Sequence, residues 1–347
     1  MPSQPYLRHI IEERSSLTRE EARSVLEQIL AGEISELEVA ALVGALAARG
    51  ETAAELAGFV DVMRSAVTAI PLSEDEQLTL VDTCGTGGDG SRTFNISTAA
   101  ALVAAAAGAT VAKHGNRAIT SQTGSADVLE ALGIPVGLTP EEAADELRRH
   151  RFAFLHAPSL HPAMKAVMPV RRALGVRTVF NLLGPLTNPA GASAQVMGVY
   201  SAAAVPLVAE AMALLNTRHA FVVHGTAMQP DGTVRGLDEI SISGPTDIAE
   251  VRNGVVTLSR FQPEDAGRES APMEALAGGD ASTNAAILTA IFAGEKGPRR
   301  DIVLLNAAAV LVAADLAPDI PAGVALAAQT IDSGAVTELI RRIARKS

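Results

Sequence analysis

At Pro71 the hydrophobic pattern of the chain changes period, and that change limits the fold more than any single motif. Up to about residue 70 the apolar residues recur at helical spacing, as in Val25, Ile29 and Leu30, then Val39, Leu42, Val43 and Leu46. Thr18/Glu21, Ser35/Glu38 and Thr52/Glu55 have capping-box spacing, in which hydroxyl and carboxylate satisfy the free amides at a helix start, and Gly32 and Gly50 supply stops. After Pro71 and an acidic linker through Glu76, short apolar runs alternate with helical stretches, the pattern of a largely parallel sheet covered by helices. The expected strands are Leu78 to Thr83, Thr110 to Lys113, Phe152 to His156, Ala194 to Tyr200 and His219 to His224. Thr139-Pro140-Glu141-Glu142 opens a helix with cap, N1 proline and box glutamate together. Asn253-Gly254, between Ile248 to Arg252 and Val255 to Arg260, is the favoured two-residue hairpin turn, and the tail returns to helices from Ser282. The expected fold class is α/β: a small N-terminal helical domain, residues 1–70, and a larger domain, 71–347, with a mainly parallel central sheet flanked by helices.

Within the larger part, Val81 to Thr98 reads as strand, glycine loop, helix. Gly85, Gly87, Gly88 and Gly90 allow backbone N–H groups to approach an anion, and the alanine-rich segment Asn95 to Ala107 adds the positive end of a helix dipole. Gly85-x-Gly87-x-x-Gly90 matches the dinucleotide fingerprint, but that fold wants an acidic residue roughly 20 positions on, and Ser91 through Ala126 has none. No Lys-Ser or Lys-Thr closes the loop, so the Walker pattern is excluded too. Instead, Lys113-His114-Gly115-Asn116-Arg117 follows the next strand, and Thr120-Ser121-Gln122-Thr123-Gly124-Ser125 follows that, a set of cations and hydroxyls suited to phosphates. Ligands of such sheets collect at the carboxyl ends of the strands, where both segments fall.

Composition narrows the classes of function. The chain has 347 residues and is 48% hydrophobic, enough for a large core in two domains. A net charge of -11 argues against a nucleic-acid surface, and the absence of Trp leaves few rings for stacking bases. No uninterrupted apolar span is long enough for a bilayer, so neither nucleic acid nor membrane is an expected partner, and the cytoplasm is the expected compartment. The single cysteine, Cys84, excludes an internal disulfide and reads as a small buried filler.

Taken together, Gly85-Thr86-Gly87-Gly88-Asp89, Asn95-Ile96-Ser97-Thr98, Lys113-His114-Gly115-Asn116-Arg117, His161-Pro162-Ala163-Met164-Lys165, Asn181 to Pro189 and Asp238-Glu239 resemble the anthranilate phosphoribosyltransferase family, in this order and over nearly the whole chain. The resemblance implies a nucleoside phosphorylase/phosphoribosyltransferase-like fold, in which part of 161–189 crosses to the helical domain. It implies transfer of the phosphoribosyl group of phosphoribosyl pyrophosphate (PRPP) to anthranilate in tryptophan biosynthesis. By this resemblance PRPP is held by Gly85, Gly88, Asp89, Thr93, Asn95, Ile96, Ser97, Thr98, Lys113, His114, Gly115, Asn116, Arg117, Ser121 and Ser125. Anthranilate is held by Gly85, Asn116 and Arg171, the last meeting its carboxylate as a planar bidentate donor, and Arg172 is structural. Mg²⁺ falls to Asp238, Glu239 and Ser97, since magnesium prefers oxygen ligands shared with substrate phosphates.

Catalysis is expected to rest on positioning and electrostatics by Lys113 and Arg171 rather than on a dedicated strong base, because the aromatic amine is already a neutral nucleophile. A homodimer through the helical domain is a further implication of the resemblance, although those apolar faces are expected first to form the domain's own core. Two other readings are a nucleoside phosphorylase of the same architecture, whose lysine motif would continue Lys-His-Ser, and a non-catalytic relative that binds nucleic acid. The run Thr226 to Arg235, with Pro230-Asp231-Gly232 as a turn, is longer than the family's usual connection and is expected to be a surface excursion.

Overall fold

The computed structural model describes residues 3–88, 90–118, 122–228 and 232–345. Four helices come first: α1 (Gln4–Ile11), α2 (Arg19–Leu30), α3 (Glu36–Arg49) and α4 (Ala53–Ser65). The boxes at Thr18, Ser35 and Thr52 all form, with hydroxyl and carboxylate reciprocally bonded. Glu55 does more than cap. Fully buried, its carboxylate also accepts the Leu17 amide at 2.8 Å and the Arg49 guanidinium at 2.5–2.6 Å, so one side chain joins α4, the end of α3 and the turn before α2.

The linker expected to run through Glu76 is instead a short helix, α5 (Glu74–Leu78), capped by its own Ser73/Glu76 box. That helix takes Leu78 out of the first strand, leaving it exposed, and β1 runs Leu80–Gly85. The order continues α6 (Ile96–Ala106), β2 (Thr110–Gly115), α7 (Ser125–Ala131), α8 (Pro140–His150), β3 (Phe152–His156), α9 (Ala157–Leu160), α10 (Met168–Leu174) and α11 (Phe180–Leu186). Then follow β4 (Ala194–Gly198), α12 (Ala204–Leu214), β5 (His219–Met228), β6 (Val234–Leu237), β7 (Thr246–Arg252) and β8 (Val255–Phe261). The tail holds α13 (Ala281–Phe292), α14 (Pro298–Ala313), α15 (Ile320–Asp332) and α16 (Ala335–Ile343).

The sheet order is β3-β2-β1-β4-β5-β7-β8, parallel from β3 through β5 and antiparallel beyond it, with β6 paired antiparallel to the end of β5. The Asn253-Gly254 turn closes β7 on β8 with both residues at positive φ, as a hairpin of that type requires. The run 226–235 is a hairpin arm: Gly225 pairs with Leu237 and Met228 with Val234, while Pro230-Asp231 lies outside the described residues. The described residues form three apolar cores, and side chains of β4 and β5 alternate between two of them. Val81, Val196, Phe221 and Val223 face α6, α13, α14, α15 and α16, whereas Met197, Ala220 and Val222 face α12 and the helical bundle. Residues of α1 to α4 share that second core with Val167, Val170, Val179 and Phe180 to Leu186, so the segment after β3 packs with the bundle. Strand order reverses between β1 and β4, which places a topological switch point directly below the glycine loop.

Candidate active site

The loop leaves β1 at Gly85 and is held from the far side of the chain. Asp238 Oδ2 accepts the Gly87 amide at 2.7 Å, and a Cβ at Gly85 would stand 2.3 Å from the same oxygen. At Gly198, the neighbouring strand end, a Cβ would lie 1.6 Å from the Asp238 carbonyl. Both positions must be glycine for the carboxylate segment to descend onto the ends of β1 and β4. Gly87 and Gly88 follow at φ +67° and +73°, a conformation that side chains penalise.

Glu239, the second carboxylate, sits at the start of α6, where Oε1 accepts the Ser97 amide at 3.1 Å. An acidic group there compensates both an unpaired amide and the helix dipole. The pair is fixed from behind by Asn306, buried in α14, whose Oδ1 takes the Ile240 amide and whose Nδ2 donates to the Ile240 carbonyl, each at 2.9 Å. Asn306 went unrecognised in the sequence. Its signal was a lone amide in the apolar helix Ile302 to Ala313, where a buried polar group needs partners.

Lys113 is buried and reaches up rather than outward. Its Nζ donates to the Thr83 carbonyl at 2.6 Å and lies 3.4 Å from Ser97 Oγ, and burial lowers its pKa against the opposing pull of Asp82, Cys84 and Glu239. Its charge thus underlies the loop and the α6 terminus. Arg117, expected on the same phosphates, is exposed and forks onto Glu130 and Asp127 at 2.6–3.2 Å. Asn95 donates to the Thr123 carbonyl and accepts from Asn284, while Ser125 Oγ donates to the Asn116 carbonyl. Ile96 and Thr98 are buried in α6. Thr93 forms a bridge with Ala277 and lies 3.3 Å from Ser91 through its hydroxyl. Gly115 ends β2 beside Ser125. Asp89 and Ser121 lie outside the described residues. Cys84 is buried, with its thiol pKa pushed up by burial and Asp82.

On the other side of the loop stands the segment after β3. His161 Nε2 and His114 Nε2 are 3.0 Å apart, and the His114 ring is also bonded to the Gly184 backbone. Burial drives His114 down to about 3 and His161 to about 4, so both are neutral. A neutral imidazole has one donor and one acceptor. If His114 donates Nδ1–H to the Gly184 carbonyl, its Nε2 accepts from His161, and His161 Nδ1 is left as an acceptor. That atom is buried without a hydrogen-bond partner among the described residues. Arg171, half-buried on α10, has its pKa lowered by desolvation, and its guanidinium makes no hydrogen bond or ion pair with a described residue. Arg172 is exposed.

The edge of the sheet therefore presents glycine amides, two carboxylates and a buried ammonium, and the segment after β3, joined to β2 through His161 and His114, carries a half-buried guanidinium and a buried imidazole nitrogen. The sequence compares accordingly. Residues 4–67 match the family model of the glycosyl transferase family helical bundle domain, and residues 77–337 match that of the glycosyl transferase family a/b domain. An anthranilate phosphoribosyltransferase of Chloroflexus aggregans is 52% identical over 95% of this chain and 94% of its own length. The crystal structure of anthranilate phosphoribosyltransferase from Thermus thermophilus superposes with a TM-score of 0.87 at 43% identity, covering 97% of this chain and 98% of that one. The Saccharomyces cerevisiae enzyme, in complex with PRPP and Mg, gives 0.84 at 27% identity over 98% and 96%. With near-complete coverage in both directions and the loop, lysine and carboxylate motifs gathered at one sheet edge, the chain belongs to the anthranilate phosphoribosyltransferase family.

Proposed function

We propose that the carboxyl edge of β1 binds PRPP and the facing segment binds anthranilate, and that the protein transfers the phosphoribosyl group to the anthranilate amine with release of pyrophosphate. The observation that carries this reading is the meeting of Asp238 and Glu239 with the Gly87 and Ser97 amides. It puts anion-binding backbone and oxygen ligands for a metal at one point. The pyrophosphate belongs at the glycine loop and the α6 terminus, where N–H groups and the Lys113 charge oppose the negative charge that grows on the leaving group. On this reading Asn116 and Gly85 serve both substrates.

Asp238, Glu239 and the Ser97 hydroxyl offer hard oxygens, and among the described residues no group of three or more His, Cys, Asp or Glu forms a complete protein cage. That donor set fits Mg²⁺, which keeps waters and substrate phosphates in its shell. When bound, the ion neutralises phosphate charge. Arg171 supplies an uncommitted guanidinium for the carboxylate of anthranilate, and His161 Nδ1 an acceptor for an amine N–H. With its pKa near 4, His161 orients that N–H and is too weak a base to remove a proton beforehand. The chain acts in the cytoplasm as a homodimer through its helical domain on this reading; no described helix is long and apolar enough to cross a membrane. A steady-state assay with anthranilate and PRPP, with and without Mg²⁺, tests the proposal. Mg²⁺-dependent formation of phosphoribosylanthranilate is expected, and its absence in folded protein refutes it.

A further inference from the structure

One arginine outside every group discussed so far touches the glycine loop. Arg177 stands between α10 and α11, just past the left-handed Gly175 that ends α10. Its Nη2 donates to the Gly88 carbonyl, and its guanidinium carbon lies 4.6 Å from the centre of the Tyr200 ring. Tyr200 follows β4, whose end is bonded to the loop through Thr86 N–H and Gly198 O at 2.9 Å. The guanidinium is thus laid on a ring fixed to the sheet and hydrogen-bonded to the loop in one placement.

We infer that Arg177 is a positioning residue that holds the glycine loop in its anion-receptive shape from the acceptor side, using Tyr200 as its platform; this rests on the assignment of that loop to PRPP. A phosphate is attracted by backbone N–H groups and repelled by carbonyl oxygens. Gly88 at positive φ has few steric restraints of its own, so its peptide can turn either way. A cation on the Gly88 carbonyl favours the orientation in which that oxygen is kept off the phosphates. Asp238 on the Gly87 amide and Arg177 on the Gly88 carbonyl then hold the loop at two peptides with a single peptide between them. The role calls for arginine, because a planar guanidinium can stack and donate at once where an ammonium cannot. The start of α11 keeps it in place, with the Thr178 amide bonded to Asn181 Oδ1 at 3.0 Å.

PRPP binding by calorimetry, with steady-state kinetics, tests the inference on Arg177→Ala, Arg177→Lys, Tyr200→Leu and Tyr200→Phe. Arg177→Ala is expected to weaken PRPP roughly tenfold, the scale of one charged hydrogen bond. Its effect should fall on KM for PRPP, with kcat at saturation nearly kept. Tyr200→Leu should shift PRPP affinity in the same direction by less, Tyr200→Phe should behave as wild type, and Arg177→Lys should fall between. Unchanged PRPP affinity in Arg177→Ala overturns the inference, whether or not the melting temperature falls. A loss in Arg177→Ala with none in Tyr200→Leu also overturns it, since a direct phosphate ligand needs no platform. Wild-type protein that fails to bind PRPP removes the underlying reading, whereas wild-type binding with an indifferent Arg177→Ala removes the clamp alone.

Discussion

On the function proposed above, the donor side at the glycine loop and the acceptor side after β3 are built on opposite plans. Around the glycine loop the polar groups are already engaged: Asp238 with Gly87, Glu239 with Ser97, Lys113 with Thr83, Asn95 with Asn284. Across the cleft, Arg171 has no described partner and His161 Nδ1 is buried without one. The difference follows from what each side must do. Charge develops on the pyrophosphate as its bond breaks, and preorganised dipoles stabilise it without reorganising at that moment. The acceptor is a small aromatic acid whose own polar groups complete the site when it enters.

If that contrast is right, mutations on the donor side should abolish function and those on the acceptor side should grade it. The largest effect is expected for Asp238→Asn with Glu239→Gln, which keeps hydrogen-bond acceptors but removes the charge. Mg²⁺-dependent turnover should drop by orders of magnitude with a nearly unchanged melting curve, and a fully active double variant would eliminate the metal assignment. Gly87→Val comes next. A branched side chain at φ +67° is strained, so the loop must rearrange, and calorimetry should show PRPP binding lost in folded protein. Retained affinity would make the loop a plain turn.

On the acceptor side, Arg171→Ala should weaken anthranilate by about 1.5–3 kcal/mol and leave PRPP much less affected. Equal losses in the two KM values would mean that Arg171 supports the cleft as a whole. The smallest effect concerns acid stability. His114 and His161 titrate near 3 and 4 in the folded protein, below the ordinary value of about 6.5, so the unfolded chain binds more protons between those limits. Their contribution to stability is complete above pH 6.5 and is lost as pH falls toward 4. His161→Gln should flatten the fall in melting temperature over pH 6.5 to 4; an unaltered slope would show that other groups carry it.

What could be read from the sequence was what is written locally. The capping boxes, the Asn253-Gly254 turn and the strand-to-loop step at Gly85 each lie within a few residues, and each formed. The box at Ser73/Glu76 was equally local but hidden in an acidic run that resembled a linker. Strand β6 was not legible, because Val234 to Leu237 is short, carries Arg and Gly, and becomes a strand only through β5. The site divides in the same way. Gly87, Lys113 and Asp238-Glu239 were legible as motifs and meet at one sheet edge, yet the partner of Arg117 depends on α7, and the His114–His161 and Asn306–Ile240 contacts join positions 47 and 66 residues apart. Such pairs come from tertiary packing and have no local signature.

Asn306 also has a bearing on how the protein fails when warmed. Its two hydrogen bonds fasten the residue after the carboxylate pair to a fully buried stretch of α14, so this backbone can open only when the helix does. Amide exchange there is expected in the slowest class, released by global opening rather than by loop fluctuation. The carboxylate segment, although formally a connection between strands, thus has the thermal fate of the core, and it keeps its aim until the molecule as a whole gives way.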